Sequence, residues 1–161
     1  KTGGSSGSPA PATTPNTTGS PAGDNSNKPN IYNHSDGSRT ETITDKNGNT
    51  TEKDYYADGK LDAIRSTDKN GNNHWKTYNK DGSIRMEGAA NADGSGFLKE
   101  HNEQGKLIYE SYNDKNGNEQ WKTYNEDGST KMEGSLKDGT RNCKTYENGR
   151  VIKDETWQEN K

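Results

Sequence analysis

The stretch TDKNGN at residues 44–49 returns unchanged at 67–72 and as NDKNGN at 113–118, at offsets of 23 and then 46 residues. Each copy centres on Asn-Gly, a dipeptide that readily takes the positive φ angles of a tight type I′ hairpin turn. Similar dipeptides punctuate the rest of the chain in two alternating series. The first is Asn47-Gly48, Asn70-Gly71, Asp93-Gly94, Asn116-Gly117 and Asp138-Gly139; the second is Asp36-Gly37, Asp58-Gly59, Asp81-Gly82, Gln104-Gly105, Asp127-Gly128 and Asn148-Gly149. Successive glycines stand 10 to 12 residues apart, which leaves about seven to nine residues for each strand before the chain reverses. The fold so predicted is all-β. It is an elongated, single-layer antiparallel meander of about five 23-residue hairpin repeats over residues 31–161, with roughly ten strands spanning about 50 Å at the usual strand spacing.

Columns of like residues support the stacking. Four residues after the first-series glycines stand Glu52, Trp75, Leu98, Trp121 and Cys143, and seven after them Tyr55, Tyr78, His101, Tyr124 and Tyr146. Two residues after the second-series glycines stand Leu61, Ile84, Leu107, Thr130 and Val151, and four after them Ala63, Met86, Tyr109, Met132 and Lys153. Repeats that cannot bury a face alone bury one together in this way. The last two columns differ by two positions and are expected on one face. The Trp and Tyr columns differ by three and are expected on opposite faces unless a bulge intervenes. The end segments NHSDGSRTETIT and RVIKDETWQENK are polar, as sheet ends should be to discourage stacking.

Composition sets the outer bounds. Only 21% of the 161 residues are apolar and 29% are charged, against roughly 45–50% apolar in an ordinary globular chain, so a two-layer core is not expected. All eight Tyr and three Trp nevertheless follow residue 30. Residues 1–30 are almost wholly Gly, Ser, Thr, Pro, Ala and Asn, a composition that reads as a disordered spacer. The net charge of −3 is built from interleaved acids and bases, which argues against a nucleic acid partner, since phosphates need a basic face. No run approaches the roughly 18 apolar residues of a membrane span. The single cysteine, Cys143, rules out an intrachain disulfide and a multi-cysteine zinc site.

The segments WKTYNKDGSIRMEG at 75–88 and WKTYNEDGSTKMEG at 121–134 resemble the bacterial variant of the MORN repeat: Trp, two residues, Tyr, a turn ending in Gly, and a short strand closing in Glu-Gly. The positions that match are Trp75, Tyr78, Gly82, Glu87 and Gly88, with Trp121, Tyr124, Gly128, Glu133 and Gly134 in the later copy. Five copies of uneven quality cover residues 50 to 157; the middle one has Leu98 and His101 for Trp and Tyr, and the last has Cys143 for Trp. ITDKNGNTTEKDYYADGKLDAI is similar to the YD repeats of Rhs-type shell proteins, but that pattern has no place for the Trp and Glu-Gly positions. Either resemblance implies a β-hairpin array.

Candidate chemistry is sparse. Asp45-Lys46-Asn47-Gly48-Asn49 alternates acid and amide as a calcium loop does, yet its glycine is fourth and its twelfth residue is Tyr56, where an EF-hand needs glycine sixth and Glu twelfth. A hairpin turn is the better reading. The three histidines, His34, His74 and His101, lie on different repeats and read as packing or surface residues. Glu87, Glu110 and Glu133 form a column with Asp154, with Arg85 and Lys131 nearby in sequence to screen it; such a column reflects the period of an array before it reflects chemistry. Cys143 fits its packing column as a small apolar side chain. No nucleophile elbow, phosphate loop or paired metal motif is present, so no enzyme activity, cofactor or metal is expected. The ten glycines Gly48, Gly59, Gly71, Gly82, Gly94, Gly105, Gly117, Gly128, Gly139 and Gly149 are structural. The candidate binding residues are Trp75, Tyr78, Trp121, Tyr124 and Tyr109 with Glu87, Glu110 and Glu133, exposed if the sheet is one layer thick.

The function expected on these grounds is a non-enzymatic binding or adhesion module that engages a protein partner through its extended sheet, held off a bacterial surface by the spacer. The expected location is the cell surface or periplasm, with a lipid anchor upstream of Lys1, and the cytoplasm as the alternative. The resemblance to the MORN variant implies a second class, an antitoxin or immunity protein. End-to-end self-association into a structural β-protein is a third.

Overall fold

Each reversal is made by a glycine, but mostly not in the turn type that the dipeptides suggest. The Gly48 N–H donates to the Asp45 carbonyl at 3.0 Å and the Asp45 N–H to the Asn49 carbonyl at 2.9 Å, while φ is +85° at Gly48 and Asn47 stays outside the positive region. This is a three-residue loop, a type I turn closed by one left-handed glycine in a bulge. The same hydrogen-bond pair recurs at every reversal from Gly37 to Gly128. Type I′ turns are confined to the last two, where Asp138 and Asn148 both have φ of 51° ahead of Gly139 and Gly149. The shorter loops explain why the glycine beat tightens towards the C-terminus.

The computed structural model describes residues 27–159. The spacer expected over 1–30 therefore lies, for residues 1–26, outside the described residues, and its last residue already opens the first strand. The strands are β1 (Asn30–Asn33), β2 (Arg39–Thr44), β3 (Thr50–Tyr55), β4 (Leu61–Thr67), β5 (Asn73–Tyr78), β6 (Ile84–Ala90), β7 (Gly96–His101), β8 (Leu107–Asn113), β9 (Glu119–Tyr124), β10 (Thr130–Lys137), β11 (Thr140–Glu147) and β12 (Arg150–Gln158). They form one 12-stranded sheet in strict chain order, every neighbouring pair antiparallel. The meander is thus longer than the ten strands expected. Among the described residues no helix is long and apolar enough to cross a membrane.

One irregularity repeats with the period of the sequence. Tyr55 opposes Leu61 while Asp54 opposes Ala63, and the equivalent register shift recurs at Tyr78, His101, Tyr124 and Tyr146. Each is a bulge in which the even strand carries one extra residue. It corrects the expectation that the Leu61 and Ala63 columns share a face: Ile84 registers with Tyr78 and Met86 with Thr77, so the bulge separates the two columns onto opposite faces. Trp75 and Tyr78 lie within the unbulged strand β5 and point to opposite faces as expected.

Among the described residues no second layer covers either face. The only buried apolar side chains among them are Ala63 and Ala89, 2% and 5% exposed, so the sheet is held by its ladder, its turns and shallow packing on both sides.

The turns are stitched to one another along each edge. Asp45 accepts hydrogen bonds from the Asn47 and Asn49 amides at 2.8 and 2.9 Å and from Asn49 Nδ2 at 2.7 Å. The Asn49 side-chain oxygen in turn accepts from the Lys69 N–H of the next loop at 3.1 Å, and Asn72 and Asn118 repeat this towards Ala92 and Asp138. Loops of the other kind close through Ser83 Oγ–H to Asp81 at 2.6 Å, with copies at Ser95 and Ser129. On the second edge Lys60 Nζ and Lys106 Nζ donate to the carbonyls of Lys80 and Glu126, each at 2.7 Å.

These bonds hold the turn carboxylates below the ordinary Asp value, the side-chain donor of Asn49, Asn72, Asn118 or the serines being the largest cause. A depressed folded pKa contributes stability that is full above the unfolded value of 3.8 and is lost as pH falls through the lower folded values. The triple change Asp45→Asn, Asp68→Asn and Asp114→Asn is accordingly expected to flatten the fall in stability below about pH 4. Urea unfolding midpoints at stepped pH would show it; an unchanged acid slope would mean that these carboxylates titrate alike in both states.

Candidate functional site

Directly opposed residues share a face, so the register assigns each candidate. On the first face one row runs Glu52, Arg65, Trp75, Gly88, Leu98, Ser111, Trp121, Gly134, Cys143 and Glu155 across β3 to β12. Tyr109 belongs to the row beside it, with Met86 and Met132. Both tryptophans are half-buried, and each lies across the glycine of the next strand. A Cβ on Gly88 would stand 2.7 Å from Trp75 Cε2 and 2.9 Å from the Phe97 carbonyl oxygen; one on Gly134 would stand 2.5 Å from Trp121 Cε2. The Glu-Gly that closes each strong repeat is therefore a seat for the tryptophan of the preceding strand.

On the opposite face the glutamate column is half of a ladder. Lys76, Glu87, Lys99, Glu110, Lys122, Glu133, Lys144 and Asp154 stand directly opposite one another on successive strands from β5 to β12. Lys76 Nζ closes on Glu87 at 3.4 Å and Lys122 Nζ on Glu133 at 3.6 Å. The expected screen was Arg85 and Lys131; Arg85 instead pairs with Asp62 at 3.4 Å, because the bulge turns it away from the glutamates. The true partners follow the Trp column by one residue, a periodicity legible in WKTY and its copies.

The tyrosine column joins this face. Tyr146 donates its hydroxyl to Glu133 at 2.6 Å, Tyr55 to Glu41 at 3.1 Å, and Tyr124 to Glu110. Where β4 offers Ile64 in the acid's place, Tyr78 has an apolar neighbour instead. His101 takes the tyrosine position on β7, half-buried, with Nδ1 buried and without a hydrogen-bond partner among the described residues. Desolvation, and then the hydrogen bond to Glu110, raise Tyr124 from 10.0 to about 12. A raised folded value means stability that is complete below pH 10 and is lost as pH climbs towards about 12. Phenolate absorbance should show Tyr124 titrating late, and Glu110→Gln should bring it back towards the ordinary value; a Tyr124 that ionises with the exposed tyrosines in the unaltered chain would contradict this geometry.

The candidate binding residues thus divide: Trp75, Trp121 and Tyr109 on the first face, Tyr78, Tyr124, Glu87, Glu110 and Glu133 on the second. The second face also carries Phe97 and Tyr112, directly opposed and stacked at 6.2 Å between centroids. Tyr112 is 46% exposed and borders an open groove of about 450 Å³ lined in part by Glu110, Gln120, Lys122, Glu133 and Asn142. Sequence columns miss this pair because neither residue repeats.

The calcium-like loops have no free acid: both Asp45 oxygens accept from amides. Among the described residues no cluster of three or more His, Cys, Asp or Glu could hold a metal ion. Cys143 is a half-buried free thiol between Gly134 and Glu155. No family model matches the chain, and no curated protein matches it.

Proposed function

We propose that the chain is a non-enzymatic binding module of the adhesion type, built as a MORN-like hairpin array, which holds a protein partner against its Lys–Glu face. The observation that carries this is Tyr112: an exposed aromatic ring, stacked on Phe97 beside a groove and surrounded by charges of alternating sign. Aromatic anchors ringed by polar groups are what protein interfaces concentrate their energy on. The alternation favours a partner of mixed charge, because every Lys of the ladder from Lys76 to Lys144 has a carboxylate opposite it and offers no basic track to a phosphate backbone. The Ser/Thr/Pro/Gly composition of residues 1–30 supports display at a bacterial surface, where a spacer lets a module reach its partner.

A photo-crosslinking residue placed at Tyr112 in the source cells is expected to capture one discrete protein, and one placed at Asp127 on the turn edge is not. Equal yields at both positions, or none at Tyr112, would remove the reading. A basic toxin captured at Tyr112 would instead favour the immunity class.

A further inference from the structure

The two ends of the sheet are not equivalent. β1 is four residues long and follows Pro29, so its edge is short and cut off by a residue without an N–H, the usual protection of an edge strand. β12 has nine residues, all exposed, and no described strand pairs with its outer edge. The polar end expected from the sequence also carries Val151, Ile152 and Trp157 among the most exposed large apolar side chains of the molecule.

The direction of the free backbone groups follows from one bond. The Glu159 N–H donates to the Gly139 carbonyl beside β11, and alternate residues of a strand point the same way. Trp157, Glu155 and Lys153 therefore direct their backbone groups to β11, and Thr156 and Asp154 direct theirs outwards. Register with β11 puts Lys153 and Glu155 on the first face and Asp154 on the second.

We propose that β12 is a homodimerisation edge: a second copy adds its own β12 antiparallel about a two-fold axis at Asp154, joining two 12-stranded sheets into one. The strand is self-complementary in this register. Asp154 exchanges backbone hydrogen bonds with its symmetry mate, and Lys153 stands opposite Glu155 of the second copy, twice over. The Trp157 end of each strand comes to rest beside the Val151–Ile152 end of the other. The two Asp154 carboxylates meet, but each has Lys144 directly opposite it on β11 and accepts from Asn142 Nδ2 at 2.9 Å. Moving the axis to Glu155 would set two glutamates against each other at the closer, non-hydrogen-bonded spacing. A head-to-tail filament through β1 would pair four residues at most. The dimer leaves both faces open, so it stands independently of the partner proposed above.

Light scattering of the full chain at rising concentration is expected to give a mass that climbs to twice the monomer and stops. Lys153→Glu and Glu155→Lys should each raise the dissociation constant about tenfold or more, since two attractive cross-strand pairs become repulsive. The double change Lys153→Glu with Glu155→Lys should restore the dimer. Amide exchange adds a readout that folding alone does not move: Asp154 and Thr156 should become protected with concentration in the full chain and remain fast in Lys153→Glu. A chain that stays monomeric, a mass that keeps growing, or a double variant as weak as the single ones would overturn the proposal.

Discussion

Gly134→Ala is expected to destabilise the sheet by about 2 kcal/mol, and Gly88→Ala by a similar amount, within the range for forcing an extra methyl into a closed contact. Neither glycine is needed for a positive φ; both lie inside strands, where glycine by itself is unfavourable by about 0.5–1 kcal/mol relative to alanine. An alanine scan guided by strand propensity would therefore predict stabilisation. The sign reverses because the indole occupies the place of the side chain: a new Cβ at 134 meets Trp121 Cε2 at 2.5 Å and Nε1 at 2.6 Å, and the ring must leave the strand it covers. The mechanism is separable by a double-mutant cycle. In a Trp121→Ala background Gly134→Ala should be neutral or mildly stabilising, giving a coupling of about 2 kcal/mol between two residues on adjacent strands. Chemical denaturation of the four proteins measures it. Additive effects would show that the ring does not rest on the glycine.

Glu110→Lys should cost about 2 kcal/mol, the sum of reversed cross-strand charge contacts and lost hydrogen bonds. The new cation stands between Lys99 and Lys122 on the neighbouring strands, where attractive cross-strand pairs were, each such pair contributing roughly 0.2–1 kcal/mol and changing sign when like charges face one another. The change also removes the acceptor for the Tyr124 hydroxyl and for Tyr112 at 3.2 Å, a net loss of about 1 kcal/mol for each bond that water does not replace. The electrostatic share should shrink in salt, since the ladder is open to solvent. Unfolding of the unaltered and variant chains at low and high salt decides the matter: a gap that narrows with salt but does not close is expected, and a gap independent of salt would leave only the hydrogen bonds.

Much of the architecture is legible in the glycine spacing, because a reversal every 10 to 12 residues permits little besides a meander. The turn type is not, since Asn-Gly fits both a two-residue turn and the left-handed close of a three-residue loop, and only the hydrogen bonds from Gly48 to Asp45 and from Asp45 to Asn49 separate them. The bulge opposite each tyrosine is likewise hidden: Leu61 and Ala63 sit two apart, and nothing local says that an extra residue between them turns one to the far face. At the candidate site, columns recover what repeats, Trp75 with Trp121 and Glu87 with Glu110 and Glu133. They are blind to cross-strand partners, which depend on register, so the pairing of the periodic lysines with the glutamates and the glycine seats emerge only when the strands are laid side by side. Tyr112 and Phe97 occur once each in their columns and give the sequence no signal at all.

The seats, the ladder and the free edge all require one sheet whose strands touch only their neighbours in the chain. Nuclear Overhauser contacts between backbone protons of the 12 strands test this most directly. Cross-strand contacts between consecutive strands alone, from β1–β2 to β11–β12, are predicted at concentrations where the chain is monomeric. Contacts between β1 and β12, which would close a barrel, or between strands four or more apart, which would fold the sheet into a sandwich, would contradict it.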